Sequence, residues 1–323
     1  MHRLPKKNSN SMSTLICGSI AFDSIMVFKG RFKDHILPDQ VHILNVAFLV
    51  PEMRREFGGC AGNIAYNLKL LGGTPLPMAT VGDDAAPYLA RLDALGIERR
   101  HLRHVPGTFT AQAFITTDLD DNQITAFHPG AMSHSHLNSV PGDGSVRLGI
   151  IAPDGRDGML QHAQQFAELG IPFIFDPGQG LPMFNAAELE WFIARAHYMA
   201  LNDYEARLMS EKTGSDIESL SKKLKALVVT RGAQGSLIYI DGNAHEIPVV
   251  RPSAVVDPTG CGDAYRAGLL YGIDRGLDWE TTGRLAALMG TLKIERAGAQ
   301  NHQADRASIG QRFLDAFGYR PWH

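Results

Sequence analysis

The chain has 323 residues, 44% of them hydrophobic and 20% charged, with a formal net charge of −3. That length and apolar content support one large core, with or without a small added domain, and exclude an unfolded chain or a disulfide-stapled module. The near balance of charge argues against nucleic acid as a partner, since nucleic-acid binders carry a strong basic excess.

The three cysteines, Cys17, Cys60 and Cys261, lie far apart without a CxxC pair and suit a reducing, cytoplasmic setting. No apolar run approaches the ~18 residues of a membrane helix, so no membrane association is expected. Residues 1–13 are basic and polar, lack the apolar stretch of a signal peptide, and are expected to form a disordered tail before a domain spanning 14–323.

In chain order, Leu15–Cys17 reads as a buried strand. Residues 25–57 hold β-prone runs at Val41–Leu44 and Val46–Val50 without a convincing helix. Met78–Val81 is a second buried strand, followed by a helical stripe of Ala85, Tyr88, Leu89, Leu92 and Leu95. Phe114–Thr117 and Ile124–Phe127 flank the polar turn 118–123 and predict a hairpin. Three further strands, Leu148–Ile151, Phe173–Phe175 and Leu227–Val229, alternate with stripes at Leu160, Ala163, Phe166 and Ala167, and at Leu189, Phe192, Ile193 and Ala196. A last stripe comprises Leu285, Leu288, Met289 and Leu292. Strand and helix in alternation imply an α/β fold with a mostly parallel sheet covered on both faces. The two segments that break the alternation, about 25–57 and 109–128, suggest a small inserted sheet able to close over a ligand.

The richest motif runs from Ala254 to Gly268: an apolar stretch read as a strand, then Asp257-Pro258-Thr259-Gly260-Cys261-Gly262-Asp263, then a helix. Gly260, Cys261 and Gly262 leave the backbone unobstructed, so successive N–H groups and the helix N-terminus can converge on an anion. A carboxylate beside an anion hole should repel phosphate, so Asp263 makes sense as the acceptor of a proton from an attacking hydroxyl. The bland reading, an N-cap after a flexible turn, competes with it. A P-loop is excluded, because no Gly-Lys-Ser/Thr follows the glycines. A second cluster, Gly58-Gly59-Cys60-Ala61-Gly62-Asn63, opens a helix and offers bare backbone and one amide to a polyhydroxyl ligand. By itself it reads equally as a tight turn.

Together the two motifs resemble the signatures of the PfkB, or ribokinase-like, carbohydrate and nucleoside kinases: Gly58-Gly59, Asn63, Ala65, Gly72 and Gly82 upstream, and Asp257 to Gly268 downstream. Cys261 departs from the usual small residue; it would contribute a backbone N–H and make the site sensitive to thiol reagents. The resemblance implies a three-layer α/β/α sandwich with a β lid, ATP and Mg²⁺ as cosubstrate and cofactor, and Asp263 as base. It also implies roles for Asp23, Gln40, Gly59 and Asn63 in substrate binding, and for Asn202, Thr230, Gly232, Gly235, Gly260 and Gly262 in ATP binding. Glu205, in the Asn202-Asp203-Tyr204-Glu205 motif, would help place Mg²⁺ through water, although Asn-x-x-Glu also reads as a capping box. By the same carry-over Asp257, Thr259, Arg296 and Gly298 would supply oxygens to K⁺, mostly from backbone carbonyls.

The segment from His35 to His42, continuing to Arg54-Arg55-Glu56-Phe57, resembles the bacterial nucleoside kinase branch, often labelled adenosine kinase. That implies phosphorylation of a ribonucleoside 5′-hydroxyl in purine salvage, adenosine first and inosine or guanosine next, with Phe48, Phe114 and Phe127 as rings for the base. A ribokinase- or fructokinase-like sugar kinase is the alternative reading, and a non-catalytic sensor a more distant one. Family members pair through the lid sheet, so a homodimer is expected. His101–His104 and His134–His136 are read as solvated loop histidines, not metal ligands. The acidic turn 118–123 lacks the glycine and terminal glutamate of a calcium loop, and Asp176-Pro177 reads as a turn.

Overall fold

A computed structural model describes residues 13–36, 46–120 and 122–322. Gln40, the Val41–Leu44 run and residues 1–12 of the expected tail lie outside the described residues. The elements in chain order are β1 (Ser13–Cys17), β2 (Ala21–Val27), β3 (Glu52–Gly58), α1 (Cys60–Leu70), β4 (Pro75–Val81), α2 (Ala86–Leu95) and β5 (His101–His104). There follow β6 (Ala111–Thr117), β7 (Gln123–His128), β8 (Val146–Ile151), α3 (Arg156–Glu168), β9 (Phe173–Phe175), α4 (Ala186–Ile193), β10 (Tyr198–Asn202), α5 (Asp203–Thr213) and α6 (Ile217–Ser221). The chain ends through β11 (Ala226–Thr230), β12 (Ser236–Ile240), β13 (Asn243–Ile247), α7 (Cys261–Arg275), α8 (Trp279–Ile294) and α9 (Arg306–Phe317).

Among the described residues nine strands form one sheet in the order β13-β12-β11-β10-β9-β8-β1-β4-β5, parallel from β11 to β5 and antiparallel at the β11–β12–β13 edge. Its central strands are apolar on both faces because helices cover both. Successive residues of β1 show this: Ile16 belongs to the core that includes residues of α1, α2, α7, α8 and α9, while Leu15 and Cys17 belong to the core that includes α3 to α6. Ala226 and Val228 face the first of these cores and Leu227 and Val229 the second. The result is the α/β/α sandwich the alternation predicts.

A second sheet has the order β3-β2-β6-β7; its β2 follows directly on β1 and its β6 on β5. Asp84 anchors it: its carboxylate accepts from Thr110 N at 2.7 Å and Gln112 Nε2 at 2.9 Å, and pairs with Arg55 at 3.2 Å. At its far end Asp118 accepts from the N–H groups of Phe32, Asp120 and Asn122, each at 2.9 Å, and Asp120 pairs with Arg31 and Lys33.

Several expectations need correction. Ser13, placed in the expected tail, is the first residue of β1. Val46–Val50 forms no strand; the second sheet uses β2 and β3 instead, and neither reads as a long apolar run, because Asp23 and Ser24 interrupt β2 and most of β3 is exposed. Ala254–Val256 is not a strand: Val255 and Val256 are exposed, and Val256 N and Asp257 N both donate to Ile294 O. His101–His104 is the edge strand β5, not a loop. In α3 the buried face is Met159, His162, Ala163 and Phe166, with Ala167 exposed.

Candidate active site

Register brings the chemistry to one edge. Cys17, Ile151 and Phe175 align across β1, β8 and β9, and Asn202 aligns with Thr230 across β10 and β11. Ser19, Asp154, Asp176, Asn202 and Thr230 therefore all lie at the C-terminal ends of parallel strands, where α/β sheets bind ligands. The N-termini of α1 and α7 open onto the same edge.

Asp263 lies in the first turn of α7, behind Gly260, whose φ of 80° requires glycine. The Cys261 N–H is committed to Pro258 O at 3.1 Å, so the donors that α7 can aim at an anion come from its other first-turn amides. Gly262 is exposed, and a Cβ there would meet nothing nearer than Arg266 Nη1 at 3.6 Å. The packing of the protein leaves that face of the turn free for a ligand. Burial pushes the Asp263 carboxyl up to about 7, with Asp176 adding to the rise while Asn63 and Arg266 oppose it.

Behind Asp263 runs a hydrogen-bonded chain. Asn63 Nδ2 donates to Asp263 Oδ2 at 2.8 Å, Gln300 Nε2 donates to Asn63 Oδ1 at 3.0 Å and to Tyr88 Oη at 2.7 Å, and Tyr88 Oη donates to Gly58 O at 2.7 Å. Asn63, expected at the substrate, is thus tied first to the base. Gly59, with φ 84°, is forced by space as well: a Cβ would meet Ala21 N and Ser19 O at 2.6 Å. Asp23 lies on β2 across from Glu56, and a Cβ on Gly58 would strike its Oδ2. Burial, with Glu56 and Asp257, raises its carboxyl to about 6.

Sequence reasoning missed Arg266 and dismissed Asp176. Arg266 donates from Nε and Nη2 to the two oxygens of Asp176 at 3.1 and 3.0 Å, and its Nη2 lies 3.9 Å from Glu205 Oε2. Both partners are about 5% exposed. Arg266 lies one turn after Asp263 on α7, so a charged residue inside an otherwise apolar helix stretch was the available signal. Glu205 caps α5 through a complete capping box with Asn202, and burial raises its carboxyl. Gly232 is open to solvent, whereas Gly235 is sterically required, since a Cβ would strike Ile247 O.

The expected thiol sensitivity does not match the environment of Cys261. Burial, with Asp257 and Asp263 nearby, lifts its thiol to about 11 against the opposing pull of Lys293. Nor do the residues named for K⁺ fit a free ion. Lys293 Nζ donates to Asp257 O at 2.6 Å and to Arg296 O at 3.1 Å, so an ammonium already uses the carbonyls in question. The Thr259 and Gly298 N–H groups donate to the Asp257 carboxylate, each at 2.8 Å. Of the aromatic candidates, Phe48 packs with Phe28, Phe32 and His35 at the far end of β2, away from Asp23. Phe127 pairs with Ala113, which pairs with Asp23, so it shares the Asp23 face, while Phe114 lies on the opposite one.

A sheet edge with a polarised helix N-terminus, a buried carboxyl beside it and a second small sheet in the same chain is the arrangement of an α/β phosphotransferase. The pfkB family of carbohydrate kinases matches residues 23–306, and the chain belongs to that family. It is 32% identical over 318 residues to a nucleoside kinase of Methanothermobacter thermautotrophicus, covering 97% of this chain and 99% of that protein. The structure of Burkholderia thailandensis nucleoside kinase in complex with inosine is similar at a TM-score of 0.87 and 56% identity, covering 96% of this chain and 100% of that one. Its complex with ADP-inosine is similar at 0.85 and 58%, covering 96% and 97%. The fold is therefore ribokinase-like. No helix among the described residues is long and apolar enough to cross a membrane.

Proposed function

We propose that the chain transfers the γ-phosphoryl group of ATP to the 5′-hydroxyl of a purine ribonucleoside. Adenosine and inosine are the first acceptors, guanosine the next, and the monophosphate is a product typical of purine salvage. The observation that carries this reading is Asp263, poised near neutrality beside the α7 N-terminus and held from behind by Asn63. The 5′-oxygen forms a bond to the γ-phosphorus, its proton passes to Asp263, and ADP leaves with the electrons of the broken phosphoanhydride bond. First-turn amides of α7 lie where charge gathers on the moving group. Asp23 suits a ribose diol, since an ionised carboxylate accepts from both hydroxyls. Phe127, on the same face, offers a flat apolar surface to a base, and the second sheet would serve as the lid over both. The relative solved with inosine supports a nucleoside over a free sugar.

Among the described residues no three His, Cys, Asp or Glu side chains gather closely enough to hold a metal. Mg²⁺ entering with ATP would accordingly be held by phosphate oxygens and water, with Glu205 and Asp176 as the nearby carboxylates. It would supply charge neutralisation to the phosphates. The exposed Met53 and Phe114 share the face of the second sheet opposite Asp23 and support pairing with another copy there, which sedimentation would test. The free cysteines are consistent with a reducing cytoplasm.

ADP release measured over a panel of nucleosides, ribose and fructose tests the reading. Turnover with purine nucleosides is expected. Turnover with free sugars alone would replace it with a sugar kinase, and ligand binding without ADP release would replace it with a sensor.

A further inference from the structure

Lys293 lies in the last turn of α8, with its side chain 0% exposed. A buried ammonium is costly unless its donors are met, so an apolar residue would be the default there. Its contacts are specific. Nζ bonds the carbonyl oxygens of Asp257 and Arg296 at 2.6 and 3.1 Å and lies 3.8 Å from Asp257 Oδ2. These two carbonyls belong to separate loops: one leads into the Gly260–Asp263 turn, and the other precedes Gly298, Ala299 and Gln300. The loops meet closely, since a Cβ on Gly260 would lie 2.8 Å from Ala299 Cβ, and Gln300 supports Asn63. The Asp257 carboxylate crosses the same gap to Gly298 N at 2.8 Å.

An ammonium and a free monovalent cation carry the same charge and seek the same converging carbonyl oxygens. We propose that Lys293 is a tethered substitute for a monovalent cation, a positioning residue that locks the α7 turn against the 296–300 loop and frees the enzyme from dependence on K⁺. The single positive charge offsets the carbonyl dipoles and the Asp257 carboxylate that face it, and it holds the anion-binding turn in shape before ATP arrives. Because the charge is covalently attached, its presence does not depend on ion concentration. This inference rests on the kinase reading for its activity arm only.

Three measurements on the full chain test it. Crystals of the wild type soaked in a thallous salt should show no anomalous peak between Asp257 O and Arg296 O. Melting temperature should be the same in KCl as in choline chloride of equal ionic strength, and ADP release should differ less than about twofold between them. Lys293→Ala, which removes the charge and leaves room for an ion, should lose about tenfold or more in choline chloride and regain most of it in KCl or NH₄Cl. Lys293→Met, which keeps the bulk, should lose activity without rescue. A thallium peak at these carbonyls in the wild type, strong K⁺ activation of the wild type, or full activity of Lys293→Met would overturn the proposal. If neither variant folds, or if no acceptor is phosphorylated, the wild-type thallium and melting measurements still decide it.

Discussion

Asn63 Nδ2 meets Asp263 Oδ2 at 2.8 Å across a sequence separation of 200 residues, which joins the N-terminus of α1 to that of α7. The bond makes one amide the rear support of the proposed base, and it converts two separate turn-helix motifs into one site. Asp263→Asn should keep that contact while removing the proton acceptor. Turnover should fall by about 10² or more, with ATP binding retained by calorimetry. Near-normal turnover would exclude Asp263 as the base.

The pH dependence follows from the same group. A base works when ionised, so kcat/KM should rise with pH through about 7, where Asp263 titrates. Below about 6 the fall should steepen, because Asp23 also becomes protonated. Stability runs the other way. A carboxyl raised in the folded state favours folding while protonated, and that contribution is lost as pH rises from the unfolded value of about 4 through 7. Asp263→Asn should therefore melt a few degrees above the wild type at pH 8, equivalent to about 1–2 kcal/mol, with the gap closing towards pH 4. An equal shift at both pH values would contradict this account.

The two glycine clusters should respond differently to one added methyl. At Gly59 a Cβ meets backbone at 2.6 Å and the φ of 84° disfavours any side chain, so Gly59→Ala should cost several kcal/mol of stability, about the size of the largest single-site losses. At Gly262 the space is open, so Gly262→Ala should unfold in urea like the wild type. Its KM for ATP should nevertheless rise, since the methyl would occupy the approach of a phosphate. Unchanged ATP kinetics would mean that phosphate does not approach this turn.

Arg266 compensates two carboxylates inside the protein, so Arg266→Met should leave Asp176 and Glu205 facing each other without a cation. Urea denaturation should register a loss of about 3–5 kcal/mol. Replacing Asp176 with Leu in the same chain should recover much of it, because the desolvated charge left behind, rather than the lost bond, is the main cost.

Cys261 offers a chemical check on its surroundings. With its thiol raised to about 11, alkylation by iodoacetamide at pH 7.5 should be much slower than for a free cysteine. Mass spectrometry of the 261-containing peptide would reveal rapid labelling if the turn opened readily.

The legible parts of this protein were those written in local pattern. Buried parallel strands are continuous apolar runs, so Leu15–Cys17, Phe173–Phe175 and Leu227–Val229 stood out, and the glycine turns at 58–59 and 260–262 announced bare backbone next to helix starts. Val46–Val50 and Val255–Val256 misled for the same reason: β-prone residues need a ladder partner, and among the described residues neither segment forms a strand pair. Strands β2 and β3 were hidden because Asp23 and Ser24 break the apolar run of β2 and most of β3 is exposed.

Composition and motif order determined the layered α/β class and the positions where backbone must be bare. Tertiary structure alone decided which charges meet. The Asp176–Arg266 pair, the Asn63 support of Asp263 and the Lys293 ammonium on the Asp257 and Arg296 carbonyls all join distant turns or helix ends, and no local spacing encodes them. An ion pair or a hydrogen bond depends on distances of a few ångströms, and those distances are set only when the sheet register and the helix packing have placed the strand ends side by side.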